Sequence, residues 1–168
     1  MTFDLDAPIF DIESLAHGIA RPKELILKWK NAKVALTSPG DIPGHRGRRA
    51  RRAAYTGRTA IRLALMAEAT AYGVPVSHAL PPAASFTDGD HSTAGSAGDL
   101  RNPGEPFPSG ETWIIFPDNA KPGKLINVTG ENWSRLLANA DASVIIVDCV
   151  KVRERVLSRL EGRMRIGC

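Results

Sequence analysis

The sequence predicts an α+β fold in two parts: a mostly helical N-terminal half carrying one hairpin, then a small C-terminal α/β module beyond a flexible linker. Three observations carry this reading. Residues 1–80 hold three segments with apolar residues at helical spacing. In residues 81–110, fourteen of thirty positions are Pro, Gly or Ser, which leaves little apolar mass to offset the entropy of ordering. Residues 111–168 interleave short β-branched runs with helical patterns. A chain of 168 residues suits one medium domain or two small ones. The expected boundaries are 1–80, 81–110 for the linker and 111–168.

Taken in order, "DIESLAHGIA" sets Ile12, Leu15, Ala16 and Ile19 on one helical face, with Asp11 as N-cap. In "RPKELILKWKN", Pro22 suits a first helical turn, and Leu25, Ile26 and Trp29 face a core. The joint "HGIARP" is short and contains Gly18, so the pair matches a helix-turn-helix. Val34 to Leu36 reads as a short strand and "SPGDIPG" as turn chemistry. A return through the arginines to Tyr55 completes a hairpin, or wing. The third helix runs from about Thr59 to Tyr72, with Leu63, Met66, Ala67 and Thr70 as its stripe and Gly73 as its stop.

Beyond the linker, "ETWIIFPD" and "GKLINVT" read as strands joined through "NAKPG". "GENWSRLLANAD" reads as a short helix capped by Thr129, and "ASVIIVD" as a buried strand. The length from Val128 to Ser143 permits a helical crossover between parallel strands. A last helix carries Val152, Val156, Leu160 and Met164 on one stripe. That stripe either completes the small core or zips against a second copy.

Charge narrows the function. Residues 1–80 hold 12 Lys/Arg against 7 Asp/Glu, whereas residues 81–168 hold 10 against 11. The net charge of +4 therefore belongs to the N-terminal half, and "GHRGRRARRAAYTGRTAIR" concentrates seven arginines with no acid. Such a run favours an anionic partner, of which nucleic acid is the commonest. No apolar run approaches the roughly 20 residues that span a bilayer, and "MTFDLDAPIF" lacks a signal pattern. Two cysteines, Cys149 and Cys168, are too few for a disulfide framework, so a cytoplasmic protein with reduced thiols is expected.

The order of helix, helix, wing and helix resembles the winged helix-turn-helix domain of the MerR family of transcription regulators. The match lies in "SLAHGIARPKELILKWKN" for the first two helices and "YTGRTAIRLALMAEATAYGVPVSHAL" for the wing's closing aromatic, the next helix and the turn after it. It covers residues 10–80. The family's usual coiled coil is replaced here by the linker. The resemblance implies a sequence-specific DNA-binding regulator of bacterial or phage type, cytoplasmic and nucleoid-associated, with double-stranded DNA and transcription machinery as partners.

On that reading, Arg46, Arg48, Arg49, Arg51 and Arg52 lie on the wing and grip phosphates, because a guanidinium holds a phosphate with two bonds. Tyr55 closes the wing and offers its hydroxyl to a phosphate, and Arg58 and Arg62 extend the basic face. Arg21, Lys23 and Lys28, with Glu24, Leu27 and Asn31, lie off the apolar side of the second helix and face a major groove. Residues 111–168 are expected to pair two copies as a homodimer, with Val156 and Leu160 near the contact. His17, His45, His78 and His91 form no metal-ligand spacing with the cysteines, and no phosphate-binding Gly-Lys loop or nucleophile elbow is present. Neither an enzyme nor a cofactor is expected. Two other readings stay open: a DNA-architectural or phage packaging factor of excisionase-like or small-terminase-like type, and an adaptor whose basic segment binds an acidic protein.

Overall fold

The computed structural model describes residues 4–32, 34, 37–44, 52–89, 101–117, 121–130, 132–134 and 144–166, with backbone alone for 164–166. The elements are α1 (Ile12–Ile19), α2 (Lys23–Asn31), α3 (Gly57–Ala71), α4 (Val76–Asp88), β1 (Glu111–Phe116), β2 (Lys124–Val128), β3 (Ile145–Asp148) and α5 (Cys149–Ile166). The class is α+β: helices packed with one three-stranded sheet in the order β2-β1-β3.

Local chemistry explains most helix ends. Asp11 caps α1 by accepting the Ser14 N–H at 2.8 Å. That bond holds its carboxyl below the usual range. Thr56 caps α3 by accepting the Thr59 N–H at 3.3 Å, and Gly73, at φ 86°, follows the C-cap Tyr72. Helix α4 contains Pro81 and Pro82. Proline has no N–H, so the intrahelical donor to the His78 carbonyl is missing at Pro82. The Gly123 N–H donates to that carbonyl instead, at 3.4 Å, from the turn before β2. Further on, the Asn132 side chain accepts the Thr129 N–H at 2.9 Å while Thr129 O accepts the Trp133 N–H at 3.1 Å. Thr129 thus stands at the expected N-cap position, with the Asn132 side chain reaching back to its N–H.

In the sheet, β1 is the middle strand, antiparallel to β2 from Glu111↔Val128 to Ile115↔Lys124 and to β3 from Trp113↔Asp148 to Phe116↔Ile145. Strands β2 and β3 therefore run the same way, as the crossover length permits, with β1 between them. Thr112, Ile114 and Phe116 are buried on one face of β1. On the other face, the rings of Trp113 and Trp133 meet edge-on at 5.1 Å.

The buried side chains of both halves form one cluster. Helix α3 lies at its centre and is apolar nearly all round, with Ala60, Ile61, Leu63, Leu65 and Met66 almost fully buried. Phe86 of α4, Ile114 and Val147 of the sheet, and Val156 and Leu160 of α5 belong to the same core. The expected two-module division is therefore replaced by a shared interior. The expected linker is also shorter at both ends. Helix α4 runs through Asp88, past the expected boundary at residue 80. Arg101 is 3% exposed and donates to Phe86 O at 2.7 Å and to Ser85 O, its guanidinium 5.0 Å from the Phe86 ring and 5.8 Å from that of Phe107. A cation so placed closes the carbonyl end of α4, and the two phenylalanines anchor a segment whose Pro, Gly and Ser content predicted none. Residues 90–100 lie outside the described residues.

Gly18 also takes a different role. It lies inside α1, where a Cβ would stand 2.9 Å from Leu160 Cδ2. The glycine lets α5 approach α1, and the turn falls instead on Ala20, at φ 50° and ψ 47°. A left-handed conformation costs an L-residue roughly 1–2 kcal/mol, partly offset by the greater chain entropy glycine loses on folding. Ala20→Gly is therefore expected to raise stability by about 0.5–1 kcal/mol, read from the urea midpoint. A lower midpoint would show that the turn is not strained.

Candidate nucleic-acid interface

Helix α2 divides cleanly. Ile26 and Trp29 are buried in the core, whereas Glu24, Leu27, Lys28 and Asn31 are exposed. Their spacing of i, i+3, i+4 and i+7 puts these four on one face. Arg21 and Lys23 are exposed at its N-terminal end. Lys23 Nζ lies 3.5 Å from Glu13 Oε1, with both side chains about half exposed, a pair too solvated to hold the lysine firmly.

The expected return to Tyr55 shows a stem of one antiparallel bridge, Ile42 with Ala54, placed inside the segment read as a turn. Ile42 and Ala54 exchange backbone bonds of 2.8 and 3.0 Å, and Tyr55 and Phe10 exchange bonds of 2.8 and 3.0 Å. Among the described residues, the return segment is bridged by Ile42, which lies in the segment expected as a turn, and by Phe10. Val34 is half-buried, and Ala35 and Leu36 lie outside the described residues. Asp41 ties the stem to the start of α3: its carboxylate accepts the Thr56 N–H at 2.7 Å, the Ser38 N–H at 3.0 Å and the Thr59 hydroxyl at 2.6 Å. Between stem and α2 lies a cleft of about 400 Å³, with Ile26, Lys30, Ile42, Pro43, Ala53 and Tyr55 in its wall. In sequence, the arginine segment joins the two sides of this stem. Arg52 is exposed; Arg46, Arg48, Arg49 and Arg51 lie outside the described residues.

Several of the expected phosphate-binding and dimer residues are committed elsewhere. Arg62 is 3% exposed, ion-paired with Asp88, and donates to Thr87 Oγ1 at 3.0 Å and to Thr37 O at 2.5 Å. It joins α3 to α4 and cannot meet a phosphate. Arg58 Nη2 donates to Asp6 Oδ2 at 2.8 Å and its Nη1 to Thr87 O at 3.3 Å. Tyr55 is buried, its ring set against the stem cleft. Val156 and Leu160 are 1% and 0% exposed within a single chain, so they are not available to a second copy. The periodicity of α5 identified an apolar stripe; α1 and α3 cover it.

Arg159 was not among the expected residues. It stands beside Arg21 at a second, open cleft of about 410 Å³ lined by Ala16, His17, Ala20, Arg21, Pro22 and Arg159. No local signal brings it there, because only the docking of α5 on α1 places it.

Cys149 is buried, and burial pushes its thiol up, away from the nucleophilic thiolate. Among the described residues, no group of three or more His, Cys, Asp and Glu converges on one point, and no helix is long and apolar enough to cross a membrane. The sequence matches no protein-family model and no curated protein.

Proposed function

We propose that the chain is a DNA-binding transcription regulator of bacterial or phage type, of winged helix-turn-helix design similar to the MerR family. The observation that carries this is the outward face of α2, with Lys28 exposed on it and Arg21 and Lys23 exposed at its N-terminal end, on a helix whose Ile26 and Lys30 line the cleft beside the stem that flanks the arginine segment. In this reading, the outward side chains of α2 enter the major groove and the arginines hold the flanking phosphates. B-DNA presents a charge about every 1.7 Å of axis, so each guanidinium that meets a phosphate releases counterions. Arg21, Lys23, Lys28 and Arg52 take part. Arg46, Arg48, Arg49 and Arg51 join them on the strength of sequence. Arg58 and Arg62 hold the scaffold. A single small domain makes few specific contacts, so the protein is proposed to act as a homodimer through a surface other than Val156 and Leu160.

The test compares gripping with reading. Changing Arg48, Arg49, Arg51 and Arg52 together to Ala is expected to weaken binding to every duplex and lower the salt slope by roughly 0.9 for each phosphate no longer neutralised. Lys28→Ala is expected to shift the preferred sequence, reducing discrimination at one base pair by roughly 1–3 kcal/mol. Salt titrations and a selection from random duplexes measure these effects. Binding without sequence preference would favour an architectural or packaging role, and no salt-dependent binding would favour a protein-binding adaptor.

A further inference from the structure

We infer that the cleft between the α1–α2 turn and α5 seats one phosphate of duplex DNA, with Arg159 as a ligand supplied by the C-terminal half. The inference rests on the DNA-binding reading above and extends the interface beyond α2 and the wing.

Arg21, Arg159 and His17 line the cleft, and among the described residues no Asp or Glu does. Glu13, the acid on α1, does not line the cleft. Glu24, in the first turn of α2, does not line the cleft. Two cations facing an open space with no anion repel each other, and an anion between them removes that cost.

The arginines of α5 differ in how they are used. Arg153 donates to Glu105 Oε1 at 2.6 Å and to Gly104 O at 3.0 Å, and Arg155 pairs with Glu68 at 2.8 Å. Arg159, half-buried, donates a single long bond of 3.5 Å to Gly18 O. A guanidinium carries five N–H donors in a planar fork suited to phosphate. Among the described residues, neither Arg159 nor Arg21 is paired with a carboxylate.

Position supports the same ligand. The cleft lies at the N-terminal end of α2, which Arg21 and Pro22 precede, and Pro22 offers no side-chain cap. The helix end nearest the cleft therefore lacks a side-chain cap and carries the partial positive charge of a helix start. The neighbouring Leu160 packs against Gly18 and fixes α5 on α1, so the Arg159 backbone is held rigidly beside the turn. A phosphate here would lie next to the groove that α2 enters.

The experiment uses the full chain, a duplex from the selection above, and Arg159→Gln and Arg159→Lys variants in salt titrations. Arg159→Gln is expected to reduce the salt slope by about one and low-salt affinity about tenfold, leaving the preferred sequence unchanged. Arg159→Lys keeps a cation and is expected to retain the slope, which separates removal of charge from a disturbed fold. Inorganic phosphate at constant ionic strength is expected not to compete. If wild-type protein binds duplex and Arg159→Gln binds with unchanged slope and affinity, the inference fails alone. If both variants lose affinity equally, the role is packing and the inference fails. If inorganic phosphate competes with wild type but not with Arg159→Gln, the cleft serves a free anion and the duplex assignment is overturned. If wild type binds no duplex at all, the DNA-binding reading itself fails.

Discussion

Arg62→Ala is expected to destabilise the chain by about 3–5 kcal/mol, the range for removing one partner of a buried ion pair. The side chain is 3% exposed, and its three nitrogens serve Thr87, Thr37 and Asp88, from α4 and the segment after α2. Truncation leaves a carbonyl and a carboxylate without their donor and opens a void beside α3. The Asp88 side chain is 28% exposed, so water recovers part of that cost and the lower end of the range applies. Urea unfolding measures it, with Arg62→Met/Asp88→Leu as the control. Replacing both charges by apolar groups is expected to be much milder than removing one, because no charge is left unpaired. A variant within about 0.5 kcal/mol of wild type that had lost DNA affinity would return Arg62 to the phosphate interface.

Leu160→Ala is expected to cost about 2–5 kcal/mol, the range for a leucine in a filled core. The side chain is fully buried and lies against Gly18, whose missing Cβ leaves the space it occupies. The dependence of the loss on protein concentration decides between two roles for the α5 stripe. A core residue gives a loss independent of concentration and leaves sedimentation unchanged. An interface residue would give a stable monomer and a loss that grows on dilution. By the same reasoning, a chain ending at residue 110 is expected to lack cooperative unfolding, since α1 and α3 would expose the faces that α5 and the sheet now cover. A folded, two-state fragment would show that the C-terminal half is dispensable to the core.

Parts of the candidate interface are legible in residue order. The exposed α2 face follows from Ile26 and Trp29, because fixing the apolar stripe fixes the opposite side. A chain return closing at Tyr55 follows from turn residues flanking the arginines, although the bridges pair Ala54 with Ile42 and Tyr55 with Phe10. Seven arginines between Gly44 and Arg62 look alike as a charge run. Arg58 and Arg62 differ from Arg52 only because Asp6, Thr87 and Asp88 happen to lie where their side chains end. Arg159 is invisible for the converse reason: its neighbour Arg21 is brought to it by helix packing.

Residue order alone dictates the α+β class, the apolar sides of α1, α2 and α5, the N-cap positions at Asp11 and Thr129, the three strands and the concentration of positive charge before residue 63. These properties are set by neighbours within a few positions, through hydrogen bonds and the periods of 3.6 and 2. What each apolar side meets is settled only when the elements pack. Packing gives α5 to the shared core instead of a second copy, shortens the linker through Arg101, Phe86 and Phe107, and sorts the arginines into scaffold and surface. Burial and ion pairing depend on elements distant in the chain, and hydrophobic attraction has no direction of its own. A stripe records that it must be covered, and the assembled fold selects the surface that covers it.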